Sequence, residues 1–334
     1  SALLLAAPAS QAAGIAAGSC AGPLVVSMAD SAGTAVSATG TVTVSLADTH
    51  GGVVHSNSTC SSAITQVGIY KGASSASFYY RSTVIGSMAL SATEVSLKSA
   101  TLTVPIVAGS LASISLGIGN SAATAGTCTS LKYEFLDSYA NNASLSAAQS
   151  TALQTSDAVA VFSSVSDCSS TQTTFSDAVG AVGRATLFYR GGTLGAFTIG
   201  ASASGITSGS VTGSLTAGSP SAISWTGADG IAAASCTAYT VASADGYGNA
   251  SAVDSVLAIS LVATRGGFYV DSACTSERTS VSILAGRSNT TTYFKSNTSG
   301  TSAFTASRSG YTSGSRSIAI APGSVTDLAL AYTD

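Results

Sequence analysis

Six thiols, two imidazoles and fifteen carboxylates are the side chains of this 334-residue sequence most suited to covalent, acid–base or metal chemistry. The thiols carry the clearest pattern. Cys20, Cys128 and Cys236 stand 108 residues apart, and each is followed by a second cysteine, Cys60, Cys168 and Cys274, at offsets of 40, 40 and 38. Zinc takes about four ligands, yet CxxC spacing is absent and the histidines number only two, so the spacing favours three disulfides over a metal site. Equal offsets predict the pairs Cys20 with Cys60, Cys128 with Cys168 and Cys236 with Cys274. Disulfides point to an oxidising compartment, secreted or on the cell surface. Closing a loop of about 40 residues stabilises a domain by roughly 4 kcal/mol in the chain-entropy view.

The remaining candidates do not assemble into a site. His50 and His55 flank Gly51-Gly52 with no nucleophile or third ligand beside them, and the later repeats carry no histidine there, which reads as a surface loop. Asp30, Asp137 and Asp245 each sit in a turn. One carboxylate per turn falls far short of the six to eight oxygens calcium takes, so these residues read as turn formers bonding their own backbone. No phosphate loop, carboxylate pair or Ser-His-Asp set is present, and we expect no catalytic residue, no cofactor and no metal. A net charge of −3 with twelve scattered Lys and Arg excludes an electrostatic footprint for nucleic acid. No apolar run approaches the roughly 20 residues of a membrane helix, so no membrane insertion is expected.

The cysteines mark a tandem repeat. Gly14-Ile15-Ala16-Ala17-Gly18-Ser19-Cys20 returns as Ala122-Ala123-Thr124-Ala125-Gly126-Thr127-Cys128 and as Gly230-Ile231-Ala232-Ala233-Ala234-Ser235-Cys236. Gly72, Gly180 and Gly286 follow the second cysteine of each pair. Next comes an aromatic pair with a base, as Tyr79-Tyr80-Arg81, Phe188-Tyr189-Arg190 and Tyr293-Phe294-Lys295, and then Gly86, Gly195 and Gly300. The trio invites a ligand reading, but a set that recurs in every unit belongs to the fold, and we expect core and edge packing. Trp225, alone of its type, matches Leu116 and Leu330 in the period and so reads as core. Asn57, Asn142, Asn249, Asn289 and Asn297 open Asn-x-Ser/Thr sequons, acceptors for decoration of surface loops where the cell glycosylates them.

A unit of about 108 residues is an ordinary size for one small domain. The expected division is 1–108, 109–217 and 218–322, with linkers near residues 107–109 and 216–218. Only 8% of residues are charged while 45% are hydrophobic, and β-branched residues alternate with small polar ones, as in Thr41-Val42-Thr43-Val44-Ser45-Leu46 and Thr279-Ser280-Val281-Ser282-Ile283. Alternation broken by Gly, Asn, Asp and Ser every 8 to 12 residues or so is the rhythm of a β-sandwich. Residues 144–155, with Leu145 and Leu153, are the one helix-like stretch, read as a loop insertion carrying a turn of helix. Residues 2–12 admit two readings, the tail of a signal peptide or the first strand of repeat one, and their place in the period favours the strand.

Asp245-Gly246-Tyr247-Gly248-Asn249 after an alternating strand, the following Val256-Leu257-Ala258-Ile259-Ser260-Leu261, and Ser299-Gly300-Thr301 before Phe304-Thr305-Ala306 resemble the bacterial immunoglobulin-like repeats of the invasin and intimin type. Weaker copies of the turn lie at residues 137–141 and 30–33. The resemblance spans all three repeats, with a cysteine pair added to each. It implies an all-β chain of three tandem immunoglobulin-like β-sandwich domains forming an elongated extracellular rod. Its role would be a structural stalk or filament, or alternatively an adhesin segment binding a glycan or protein receptor.

Gly323-Ser324-Val325-Thr326-Asp327-Leu328-Ala329-Leu330 matches the openings of repeats two and three at Gly109 and Gly218. Residues 323–334 are therefore expected to form the first strand of a further repeat. With Val325, Leu328 and Leu330 in need of a sheet, it pairs with more of the same polypeptide or is donated to another copy.

Overall fold

The computed structural model describes residues 1–324, and the expected intersubunit strand residues Val325, Leu328 and Leu330 lie outside them. The described residues fold as three immunoglobulin-like β-sandwiches. In the middle one, a four-stranded sheet has the order Leu111–Ile118, Thr129–Asp137, Gly183–Arg190, Val161–Ser163. It faces a five-stranded sheet ordered Ala122–Thr124, Gly209–Thr216, Gly195–Ala203, Gln149–Thr155, Thr174–Asp177. The third repeats this order, with Glu277–Arg278 added at one edge. The first differs in that a bridge between Ala2 and Lys98 joins its two sheets into one. Strand pairing stays within 2–107, within 111–216 and within 222–321.

Alternation in the sequence becomes alternation in burial. Thr129–Asp137 turns Leu131, Tyr133 and Phe135 inward, and Gly300–Ser307 does the same with Phe304 and Ala306. Each sandwich has its own core, centred on Leu24, Phe78 and Tyr80, on Tyr133, Phe135 and Tyr189, and on Tyr239, Phe294 and Phe304. Burying one such aromatic side chain contributes about 2–3 kcal/mol. The recurrent aromatic pair places Tyr80, Tyr189 and Phe294 inside while Tyr79, Phe188 and Tyr293 are half-buried. Trp225 is core as well, stacked on Phe268 at 5.4 Å.

Residues 144–155 contain no helix. Gln149–Thr155 is a strand with Thr151 and Leu153 buried, because its period-two alternation meets a waiting sheet edge while Leu145 folds separately into the core. Residues 2–6 form the first strand, Ala2–Ala6, antiparallel to Ala21–Ala29 with Leu3 buried. His55 is not in a surface loop. It closes the strand Val53–His55, paired with Tyr79 and only 8% exposed, since the hairpin turns inward after Gly52.

The disulfides join Cys20 to Cys60, Cys128 to Cys168 and Cys236 to Cys274, with Cα atoms 5.7, 5.9 and 5.8 Å apart. Each ties the chain just after the first strand to a turn in which the second cysteine has positive φ, at 49°, 54° and 51°. That backbone is uncommon for a residue with a Cβ. Here the amides of Cys60, Cys168 and Cys274 bond back to the carbonyls of Asn57, Val165 and Asp271.

Candidate functional site

The distinctive polar geometry of the molecule lies where one repeat meets the next. The strand Thr129–Asp137 ends on an aspartate that organises its surroundings through both carboxylate oxygens. One Asp137 oxygen accepts the amides of Tyr139 and Asn141 at 2.8 and 3.0 Å, an Asx turn. Ala140 takes the left-handed position, φ 65°. The second oxygen accepts the Asn141 side-chain amide and, at 2.9 Å, the amide of Gly109 in the linker. Asn141 donates from the same Nδ2 to the carbonyl of Thr83 in the preceding repeat, again at 2.9 Å.

The second joint is built the same way. Asp245 accepts from the amides of Tyr247 and Asn249, from Asn249 Nδ2 and from the linker amide of Gly218 at 2.9 Å. Asn249 Nδ2 reaches back 2.8 Å to the carbonyl of Gly192. Gly192 is itself held by its amide, which donates to Asp157 at 2.8 Å. A continuous path of hydrogen bonds therefore runs from Asp157 through Gly192, Asn249 and Asp245 to Gly218.

Both aspartates are 2% exposed. Burial would raise their carboxyl pKa values, but the donors from asparagine, linker glycine and turn amides outweigh it and hold both below the ordinary carboxylate range. They are turn formers, as their positions suggested, and also clamps on the linker. Asp30 makes the same Asx turn with Ala32 and Thr34, but it is exposed.

The third residue of each later turn supplies an aromatic plug. Tyr139 lies on Gly18, where a Cβ would come within 2.0 Å of its ring, and Arg81 donates to its hydroxyl at 2.9 Å. Tyr247 is held between Gly126 and Gly192, where added Cβ atoms would approach to 2.8 and 2.4 Å. Gly18 and Gly126 have φ of 78° and 84°, so the backbone favours glycine where the ring already excludes a Cβ. In repeat three the equivalent position is Ala234, at φ 67°, with the same bond from its amide to Ser296 that Gly18 makes to Ser82.

Sequence reasoning missed the plug and the asparagine. The signal was available as a departure from the period, since Tyr139 and Tyr247 stand where repeat one has Ala32, and Asn141 and Asn249 stand where it has Thr34. In repeats two and three these departures from the period are the residues that touch the repeat before. The aromatic-base trio is split between two roles. Tyr80 and Tyr189 are core residues whose hydroxyls reach Asp48 and Asp157, burial pushing the Tyr189 hydroxyl up to about 12, while Arg81 serves the joint.

The other candidates stay apart. His50 meets the carbonyl of Ile85 at 3.1 Å, and among the described residues no group of three or more His, Cys, Asp or Glu is placed to hold a metal ion. No helix among them is long and apolar enough to cross a membrane. Of the sequon residues, Asn142, Asn289 and Asn297 are exposed, whereas the Asn249 amide is committed to the joint.

The sequence matches no protein family and no curated protein. Among solved structures it is similar to FdeC, an Escherichia coli adhesin, at 14% identity over 96% of each chain with a TM-score of 0.41. It is also similar to invasin, a bacterial integrin-binding protein, at 16% identity over 96% of this chain and 60% of that one, TM-score 0.34. The Yersinia pseudotuberculosis adhesin InvE is a third, at 10% identity over 62% and 58%, TM-score 0.25. The sandwich architecture rests on the sheets and registers themselves.

Proposed function

We propose that this chain is a non-enzymatic structural segment of an extracellular stalk or filament, in which disulfide-stapled sandwiches are set end to end as an elongated rod of fixed geometry. The observation that supports it most is the repeated clamp. Asp137 and Asp245 spend a carboxylate oxygen on a linker amide, while Asn141 and Asn249 hold the carbonyl of the repeat before. A flexible tether has no use for a buried polar network, which rigidifies when every member is satisfied. The domains in this reading are 1–108, 109–217 and 218–322, each touching its sequence neighbours. Three disulfides suit a secreted or surface location.

The partners of the rod are further repeats of the same polypeptide or copies of the chain, joined through the segment 323–334 with Val325, Leu328 and Leu330. Their sequence counterparts Leu111–Ile118 and Ala222–Gly227 each pair with the strand after the first cysteine of their own repeat. An adhesin segment is the alternative. A groove of about 710 Å³ at the first joint, lined by Ile85, Val107, Leu111 and Val182, has a smaller and more polar counterpart at the second, lined by Thr124, Ser219 and Asp254. Imaging of the native particle tests the proposal. Rods or filaments that lose their length when residues 324–334 are deleted support strand donation, full-length filaments after deletion contradict it, and globules contradict the stalk.

A further inference from the structure

In each repeat the first strand runs beside the last in the same direction, stapled at both ends. In repeat two the amide of Ile114 donates to Thr207 and that of Thr207 to Ala112, at 3.0 and 2.9 Å. Some ten residues further on, Ala122–Thr124 pairs in parallel with Ser214–Thr216, and the amide of Ala125 reaches Thr216 at 2.8 Å. In repeat three the amide of Ile223 donates to Thr312 and that of Thr312 to Ser221, at 2.9 and 2.8 Å. Gly230–Ala232 pairs in parallel with Ala319–Ala321, and the amide of Ala233 reaches Ala321 at 2.8 Å. Repeat one has the bridge of Ala2 with Lys98, the pairing of Ile15–Ala16 with Ile106–Val107, and the bond of Ala17 to Val107 at 2.8 Å.

Parallel neighbours place the start of a repeat at one end of the sandwich and its finish at the other. Tension between those points drives the first strand along the last, so all the staples resist together, in shear. Antiparallel neighbours pulled at a shared end would instead unzip, their bonds breaking in succession. Repeat three adds a side-chain tie, since Arg316 on the last strand reaches the carbonyls of Trp225 and Gly227 on the first and, at 2.7 Å, Asp229 in the bend that follows Gly227. The disulfides sit outside this clamp. The first strand precedes Cys128 and the last follows Cys168, so the covalent loop locks the interior of the sandwich without bridging the sheared pair.

We infer that each repeat is a tensile load-bearing unit whose first and last strands form a shear clamp, with the disulfide limiting how far the chain extends once the clamp yields. This rests on the stalk reading and goes beyond it, because a rod need not carry tension, and a failed clamp would leave the solution shape of the rod unchanged.

Single-molecule stretching of the full chain tests it in two geometries. Handles at the two ends load the clamps in shear, whereas handles at the exposed Ser219 and Ser309, next to the bridge between Ala222 and Thr312, peel the same strands of repeat three apart. We expect rupture of repeat three in the peeling geometry at a force about threefold or more lower, since ladder bonds then fail singly. Reduction should lengthen each end-to-end step by about 140 Å, 40 residues at roughly 3.5 Å each, with the rupture force unchanged. Equal rupture forces in the two geometries overturn the inference. A reduced protein that folds but ruptures at much lower force overturns it too. If the reduced protein does not fold, the oxidised two-geometry comparison decides alone.

Discussion

The side-chain amide of Asn249 stands 2.8 Å from the carbonyl of Gly192, and the two residues belong to different repeats. Asn141 and Thr83 repeat the relationship at 2.9 Å one period earlier. An amide that also anchors the aspartate beneath it makes orientation between repeats a property of the turn and not of linker length.

Replacing that donor should open the joint and spare the domains. Asn249→Asp keeps the size of the side chain but sets a carboxylate against Asp245 and the Gly192 carbonyl, a loss of about 1–3 kcal/mol at a half-buried site. We expect unchanged β-sheet circular dichroism and faster proteolysis at residues 216–218, while resistance equal to the parent would show that the asparagine does not hold the joint.

The tyrosine plug makes a steric prediction with a built-in rescue. Gly126→Ala places a Cβ 2.8 Å from the Tyr247 ring and at φ 84°, so the joint should loosen. Adding Tyr247→Ala should recover the steric loss and leave the backbone strain of about 1 kcal/mol. Proteolysis or inter-repeat energy transfer reads the cycle, and strictly additive effects would mean the ring and the glycine are not in contact.

Acid should weaken the joints before the cores. Asp137 and Asp245 have folded pKa values below their ordinary value of about 3.9, so their contribution is fully present above that value and is lost as pH falls through the lower folded values. Linker proteolysis by an acid-active enzyme should rise below about pH 4, and more in the parent than in Asp137→Asn, which has no such charge to lose.

Loss of a disulfide should cost each repeat alike. Loops of 40, 40 and 38 residues correspond to about 4 kcal/mol apiece in the chain-entropy view. Reductant should lower the melting temperature of all three units together. A single unit shifting alone would contradict equal stapling.

Much of this was legible in the sequence, because periods of two and of 108 are statements about sheets and units. The cysteine offsets, the alternation and the recurrent aromatic pair all report forces acting inside one repeat, and a repeat writes them three times. Residues 144–155 misled because Leu145 and Leu153, eight apart, suit a helix face as well as they suit a loop and a strand of one core, and only the neighbouring strand decides. His55 looked exposed because nothing local tells an imidazole at the end of a short strand which way the hairpin turns. The joints were harder still. Asp137 and Asp245 were readable as turn formers from the turn sequence, but their second oxygen binds a linker amide 28 and 27 residues away, a contact no local pattern encodes.

Small-angle scattering of the oxidised chain, alongside a variant carrying Asn141→Asp and Asn249→Asp, measures the fixed joints most directly. A compact 334-residue domain would have a radius of gyration of about 20 Å. Joints that hold the repeats end to end predict a value well above that for the parent with the flat cross-sectional signature of a rod, and a broader, more flexible distribution for the variant. A parent near 20 Å, or a variant with a profile identical to an extended parent, would contradict it.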